Sequence, residues 1–398
     1  MRGFERRLAL IALAGLAVRV AYAVHNRDYT VQGDALTFHL EGGYVAGGDG
    51  FHNITDGAPT AEHPPLHILL IALVDLLGGH SFLSQRIVLC VVGTGSVVLI
   101  GLAGRLLGGE RLGLLAAAVA AVYPMLWLAD GSLMSETTYA LFISAALVCA
   151  LAYRRGPSVG LAAALGALIA LAALTRGEGL ALLVLVGLPV TWRRWRHLAA
   201  VVLAAVVVLA PWTVRNLTTF ERPFLISTNS ESLWAGTNCE RTYYTDQVGA
   251  WVLACYGPAP SGDESEQAVV YRDRGLRYMR HHLGRLPVVV AARLGRLWDV
   301  FQPWSQGTFF SGLEGRRPGA THFGLVVYWV LLPLAIAGAL LLRARRRELW
   351  ILLAPVLMVT LVGATTYGTT RFRMAAEPSI VLLAAVALEA AALRVRRA

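Results

Sequence analysis

Residues 65–77 read Pro-Leu-His-Ile-Leu-Leu-Ile-Ala-Leu-Val-Asp-Leu-Leu, directly after Glu62-His63-Pro64. Whether this stretch crosses a membrane decides the topology of the whole chain. It is shorter than the roughly 20 apolar residues that a spanning helix needs. His67 and Asp75 interrupt it, and the pair Pro64-Pro65 suits a helix start. We read it as a helix lying in the membrane interface.

With that stretch set aside, ten apolar crossings remain: 8–24, 87–104, 112–128, 137–153, 158–174, 179–192, 198–213, 323–342, 348–366 and 378–393. Every short arginine cluster then faces one side. The clusters are Arg2, Arg6 and Arg7; Arg105 and Arg111; Arg154 and Arg155; Arg193, Arg194 and Arg196; Arg343, Arg345, Arg346 and Arg347; and Arg394, Arg396 and Arg397. By the positive-inside rule that side is the cytoplasm. Eleven crossings would split the clusters between the two sides. The expectation is a multi-pass plasma-membrane protein with both termini inside. The first span lacks a small-residue cleavage site and reads as an anchor.

Composition agrees. The 398 residues are 56% hydrophobic and 15% charged, against about 25% charged in soluble domains. This excludes a soluble enzyme, a nucleic-acid-binding protein and a disordered chain. All 35 basic residues are arginine, so any anion is met by Arg or His. The fold class expected is an all-α polytopic membrane protein. A transmembrane core covers 1–213 and carries the first outer loop (25–86) and the interfacial helix (65–77). An outer-loop domain covers 214–321, and C-terminal transmembrane helices cover 322–398. Amphipathic helices are predicted in the long loop from Glu264 to Leu283 and from Pro287 to Val300. Cys239 and Cys255, 16 apart in that loop, either close a disulfide in an oxidising compartment or stay as two thiols.

Ionisable residues are nearly absent from the centres of the spans, where ion-coupled transporters carry them. They gather instead at the outer ends. Asp34, in Gln32-Gly33-Asp34-Ala35, either serves as general base toward an attacking hydroxyl or caps a helix through Ala35 to Tyr44. Glu41, on that helix, reads as solvated. Glu136, in Leu133-Met134-Ser135-Glu136, either favours the dipole of the helix it opens, orients an acceptor, or holds a divalent cation such as Mg or Mn. A metal site there would need folding to bring Asp34, His63 and Glu136 together.

Arginines in outer turns run against the positive-inside bias. They are Arg176 in Thr175-Arg176-Gly177-Glu178, Arg371 and Arg373 in Thr370-Arg371-Phe372-Arg373, and Arg215 in Pro211-Trp212-Thr213-Val214-Arg215-Asn216. Their planar forks suit a phosphate, or pair internally, as Arg176 with Glu178 and Arg373 with Glu377. His63 hydrogen-bonds a phosphate or fixes the interfacial helix.

In this order the motifs resemble those of the GT-C glycosyltransferases: an Asp after the first span, His-Pro-Pro-Leu, Met-Ser-Glu, Thr-Arg-Gly-Glu, Pro-Trp-Thr-Val-Arg-Asn, and a late Arg-Phe-Arg with Glu-Pro. The similarity is to the family 39-like group, which includes protein O-mannosyltransferases and the lipid A aminoarabinose transferase. The resemblance implies a GT-C fold, a polyprenyl-phosphate sugar as donor, and inverting transfer to a hydroxyl on the outer face. It implies Asp34 as base and Glu136 as a second acid near the acceptor or a metal. It further implies Arg176, Arg215, Arg371 and Arg373 as holders of the lipid phosphate, with His63 at the donor entrance. Protein O-mannosyltransferases pair the first-loop Asp with a Glu, where this chain has Ala35, and they carry a large added domain. The acceptor expected is therefore a glycolipid or cell-wall glycan. The alternative is a flippase of a lipid-linked sugar, which binds the same phosphate and forms no glycosidic bond.

Overall fold

The computed structural model describes residues 2–395; Arg396 and Arg397, among the expected cytoplasmic arginines, lie outside the described residues. No strand forms among the described residues, which fold as eighteen α-helices with short 3-10 and π segments. The first is α1 (Arg2–His25). The chain then turns at Gly33, whose φ of 59° favours a residue without Cβ, into α2 (Asp34–Gly47). Next comes α3 (Pro65–Leu76), packed on α2. α3 buries His67, Ile68, Ile71 and Asp75. Leu69, Leu73 and Leu76 stay exposed, and their spacing sets them on one side of the helix. An apolar stripe on a helix of 12 residues suits a position in the interface.

α4 (Phe82–Gly108) opens on a capping box between Ser81 and Ser84. α5 (Glu110–Val122) and α6 (Pro124–Asp130) meet at a 56° bend, where Pro124 has no N–H to continue the ladder. α7 (Glu136–Arg155) is a full-length helix, whereas α8 (Val159–Ala173) has 15 residues. At 1.5 Å per residue α8 is about 22 Å long, short of a hydrocarbon core of about 30 Å.

The next apolar stretch is broken into a 3-10 turn (Gly177–Leu180), a π segment (Leu183–Gly187) and α9 (Leu188–Thr191). Pro189 explains the break. It cannot donate to the Leu185 carbonyl four residues back, and that carbonyl instead accepts from Trp350 Nε1 at 2.7 Å.

α10 (Trp195–Thr219) leads into the long loop, which is itself helical: α11 (Asn229–Thr237), α12 (Glu240–Tyr244), α13 (Glu264–His281), α14 (Leu286–Leu297) and α15 (Pro303–Leu313). α13 and α14 lie where the amphipathic helices were predicted, and α13 opens on a capping box of Asp263 and Glu266. α16 (Pro318–Leu341), α17 (Arg346–Thr365) and α18 (Glu377–Val395) complete the chain.

Ten full crossings were expected. Among the described residues seven helices are long and apolar enough to cross a membrane, and eight if the bent α5–α6 pair counts as one. The stretches at 158–174 and 179–192 are helical but short or broken, for the reasons just given. α1, α4, α5, α7, α16, α17 and α18 all contribute to one apolar core. Small residues bring its helices close: a Cβ at Gly338 of α16 would stand 1.8 Å from the Leu383 carbonyl of α18.

Candidate active site

The N-termini of α2 and α7, the turn before Gly177–Leu180 and the 3-10 turn Thr370–Ala375 come together at one end of the bundle. Asp34 is the first residue of α2, and Gly33 is its cap, with no side-chain hydrogen bond capping the helix. The capping role open to Asp34 is therefore not the one it takes. Its Oδ2 accepts from Arg371 Nη1 at 2.8 Å, and its side chain stays 36% exposed. His63 Nε2 lies 3.9 Å from the other carboxylate oxygen. Burial alone raises the Asp34 carboxyl, but the charges of Arg371 and His63 outweigh it and hold the group down at about 2.

Glu136 opens α7 with no exposed surface. Its Oε1 accepts from Arg371 Nε at 2.6 Å and from Arg176 Nη1 at 2.8 Å, while Oε2 has no hydrogen-bond partner among the described residues. Arg176 also donates from Nε to Glu178 Oε1 at 2.7 Å. The predicted pair Arg176–Glu178 thus forms, as one end of a longer chain of alternating charge: His63, Asp34, Arg371, Glu136, Arg176, Glu178. Burial by itself disfavours the charge on Arg371, but Glu136, Asp34 and Glu314 overcome it and keep the group protonated. Neither Arg371 nor Arg176 makes a protein hydrogen bond through Nη2 among the described residues. Each therefore keeps donors for a ligand.

Two arginines expected at this site lie elsewhere. Arg373, two residues after Arg371, points into the core with no exposed surface. It pairs with Asp299 and, at 2.6 Å, with Glu377, and lies 3.4 Å over the Tyr328 ring. Arg215 stacks on Trp212 and Phe220 at 4.9 and 5.2 Å. It donates to the Thr60 carbonyl at 2.9 Å, bracing the first outer loop. Cys239 and Cys255 are bonded as a disulfide with Cα atoms 5.9 Å apart.

Several charged residues were not legible as site residues. Glu314 and Arg316 pair with each other beside Arg371, with Glu314 Oε1 3.9 Å from Arg371 Nε. Their only signal was charge at the outer end of a span. Glu264 of α13 accepts from Thr60 Oγ1 at 2.6 Å and from the Ala61 N–H at 3.0 Å, clamping the segment that carries His63. Glu41, read as solvated, is 2% exposed. Burial pushes its carboxyl up to about 7, with His63, Glu62 and Glu264 as the charged groups around it.

A divalent cation does not fit these residues as they stand. The carboxylates of Asp34, Glu136 and Glu314 converge on guanidinium groups, and no group of three or more His, Cys, Asp or Glu that could hold a metal occurs among the described residues.

Residues 62–214 match the family of dolichyl-phosphate-mannose-protein mannosyltransferases. His63, Glu136 and Arg176 fall inside that segment. No curated protein matches the chain in sequence. Among solved structures, the oligosaccharyltransferase of Archaeoglobus fulgidus in the apo form is similar with a TM-score of 0.57 at 14% identity, covering 97% of this chain and 50% of that one. The same enzyme in complex with Zn and sulfate gives a TM-score of 0.57 at 13% identity over 98% and 49%. ArnT from Cupriavidus metallidurans bound to undecaprenyl phosphate gives 0.46 at 19% identity over 98% and 78%. The chain thus spans about half the length of the oligosaccharyltransferase, and at these identities the likeness to it is one of fold.

Proposed function

From a membrane protein with the GT-C fold, related over residues 62–214 to dolichyl-phosphate-mannose-protein mannosyltransferases, we propose a glycosyltransferase. It moves a sugar from a polyprenyl-phosphate carrier to a hydroxyl of a glycolipid or cell-envelope glycan at the outer face. The observation that carries this is Arg371, which holds Asp34 and Glu136 on one guanidinium. A base and a phosphate anchor therefore stand side by side, next to Arg176. The positive-inside rule, which assigns the short arginine-rich loops to the cytoplasm, supports the outer face.

Asp34 takes the proton of the acceptor hydroxyl. The hydroxyl oxygen forms a bond to the anomeric carbon, and the bond from that carbon to the phosphate oxygen breaks with inversion. The electron pair leaves on the lipid phosphate, whose growing charge meets the free donors of Arg371 and Arg176. In the absence of donor Arg371 holds the Asp34 carboxyl too acidic to be an effective base. A phosphate that engages Arg371 adds negative charge beside Asp34 and raises its proton affinity. Donor binding in this way prepares the base. Arg373 and Arg215, placed as they are, support the turn and the first loop. The outer-loop domain (214–321), stiffened by the disulfide, shapes the acceptor side.

The test is product analysis by mass spectrometry. The full chain in lipid is incubated with a panel of polyprenyl-phosphate sugars and envelope glycolipid extracts, beside Asp34→Asn. A sugar-sized mass gain that falls by about 10²–10⁴ in the variant, with donor binding retained, is the result expected of a general base. Movement of donor between leaflets with no mass gain in the wild type favours the flippase instead.

A further inference from the structure

Residues 191–197 read Thr-Trp-Arg-Arg-Trp-Arg-His and join α9 to α10. They lie at the far end of the bundle from the candidate active site. Tyr153, near the C-terminus of α7, shares a hydrogen bond of 2.9 Å with Nδ1 of His197, whereas Glu136 opens that same helix of 20 residues, which is about 30 Å long. Arg193, Arg194 and Arg196 are all exposed. Among the described residues none of them pairs with a carboxylate; Glu110 and Glu348, acids at this end, pair instead with Arg105 at 3.5 Å and Arg345 at 4.0 Å. The first turn of α10 supplies no acid either. Three like charges stand together with nothing to balance them.

Two further features share the patch. Trp192 is 63% and Trp195 73% exposed, and the guanidinium groups of Arg193 and Arg196 lie over their rings at 5.2 and 5.6 Å. Such rings favour the headgroup level of a bilayer. From the loop an apolar wall then runs along α10. Val202 and Val206 follow Trp195 by 7 and 11 residues, and Leu203 and Val207 follow Arg196 by the same steps, so each set shares a face of the helix. All four are exposed. α8, packed on α10, has 15 residues. A crossing this short is met by local thinning of the bilayer, which brings headgroups down toward these side chains.

We propose that Arg193, Arg194 and Arg196, with Trp192 and Trp195, form a binding site for an anionic phospholipid in the leaflet opposite the candidate active site. The phosphate and any further headgroup charge engage the arginine forks. The tryptophan rings seat beside the headgroup, and the acyl chains lie along Val202, Leu203, Val206 and Val207. A soluble anion uses the arginines alone and leaves the rings and the wall without a role. Bound here, the lipid pins the junction between the broken stretch and α10. The site stands independently of the glycosyltransferase reading.

The experiment is native mass spectrometry of the full chain released from detergent micelles and titrated with phosphatidylglycerol or phosphatidylcholine. Phosphatidylglycerol binds the wild type more tightly than phosphatidylcholine. Its affinity falls about 10- to 100-fold in Arg193→Gln/Arg194→Gln/Arg196→Gln, and by a smaller factor in Trp192→Leu/Trp195→Leu. It stays near the wild-type value in Arg343→Gln/Arg346→Gln, which removes exposed arginines from another loop. The substituted residues are exposed, so melting without added lipid stays near that of the wild type. Undiminished binding in the triple variant, equal retention of phosphatidylcholine by the wild type, or an equal loss in the Arg343 and Arg346 variant overturns the site. Inorganic phosphate that raises the melting temperature as far as phosphatidylglycerol does overturns the assignment to a lipid.

Discussion

Arg371 donates to Glu136 at 2.6 Å and, through the next nitrogen, to Asp34 at 2.8 Å. One side chain from a late turn thus ties together the helices that open with the two acids. Glu136 is wholly buried and depends on Arg371 and Arg176 for its charge.

Arg371→Ala leaves Glu136 with one cation. Breaking a buried pair from one side costs about 3 kcal/mol or more, so thermal unfolding falls by several degrees. Adding Glu136→Gln recovers part of that loss but no transfer. Arg371→Lys keeps the charge without the two-pronged geometry, and loses transfer while remaining folded. A lysine variant with wild-type turnover contradicts the bridging role.

Arg373 sets a contrast. Its substitution by Ala leaves Asp299 and Glu377 buried and unpaired, a cost of about 3–5 kcal/mol. Its effect is expected on yield and melting temperature. Donor affinity per folded molecule, measured by titration with a polyprenyl phosphate, stays near that of the wild type.

Glu41 links stability to pH. Its carboxyl stands at about 7 against an ordinary 4.5. Across that window the folded chain keeps a proton that the unfolded chain releases, so stability falls as pH rises from 4.5 to 7 and remains low above. The shift corresponds to about 3 kcal/mol. Glu41→Gln melts above the wild type at pH 8 and level with it at pH 4. Equal melting of the two proteins at both pH values would count against the burial of an ionisable carboxylate at this position.

The Cys239–Cys255 bridge closes a loop with a sequence separation of 16. In the loop-entropy model this stabilises by about 3 kcal/mol. Reduction, or Cys255→Ser, loosens the outer-loop domain first, read as faster hydrogen exchange over 229–256 with little change in the bundle helices.

Much of the frame was legible from residue order. The stretch 65–77 is too short and too interrupted to span, and it forms a 12-residue helix with an exposed leucine stripe. α13 and α14 follow from apolar periodicity and capping residues. Local backbone chemistry overrides hydropathy within single stretches. Pro124 bends one span and Pro189 breaks another, and hydropathy averaged over a window registers neither.

The sequence by itself determined that the chain is helical and membrane-embedded, and that its acids and unusual arginines collect at one end, because apolar run length and charge along the chain are local properties. Only the tertiary structure decided which charges meet. Arg371 and Arg373 stand two residues apart in one motif, yet one reaches Asp34 and Glu136 while the other is sealed in the core with Asp299. Glu41 reads as a solvated helical acid until the fold buries it. Ion pairing and burial depend on which face of a turn or helix the packed neighbours cover, and those neighbours lie tens to hundreds of residues away along the chain.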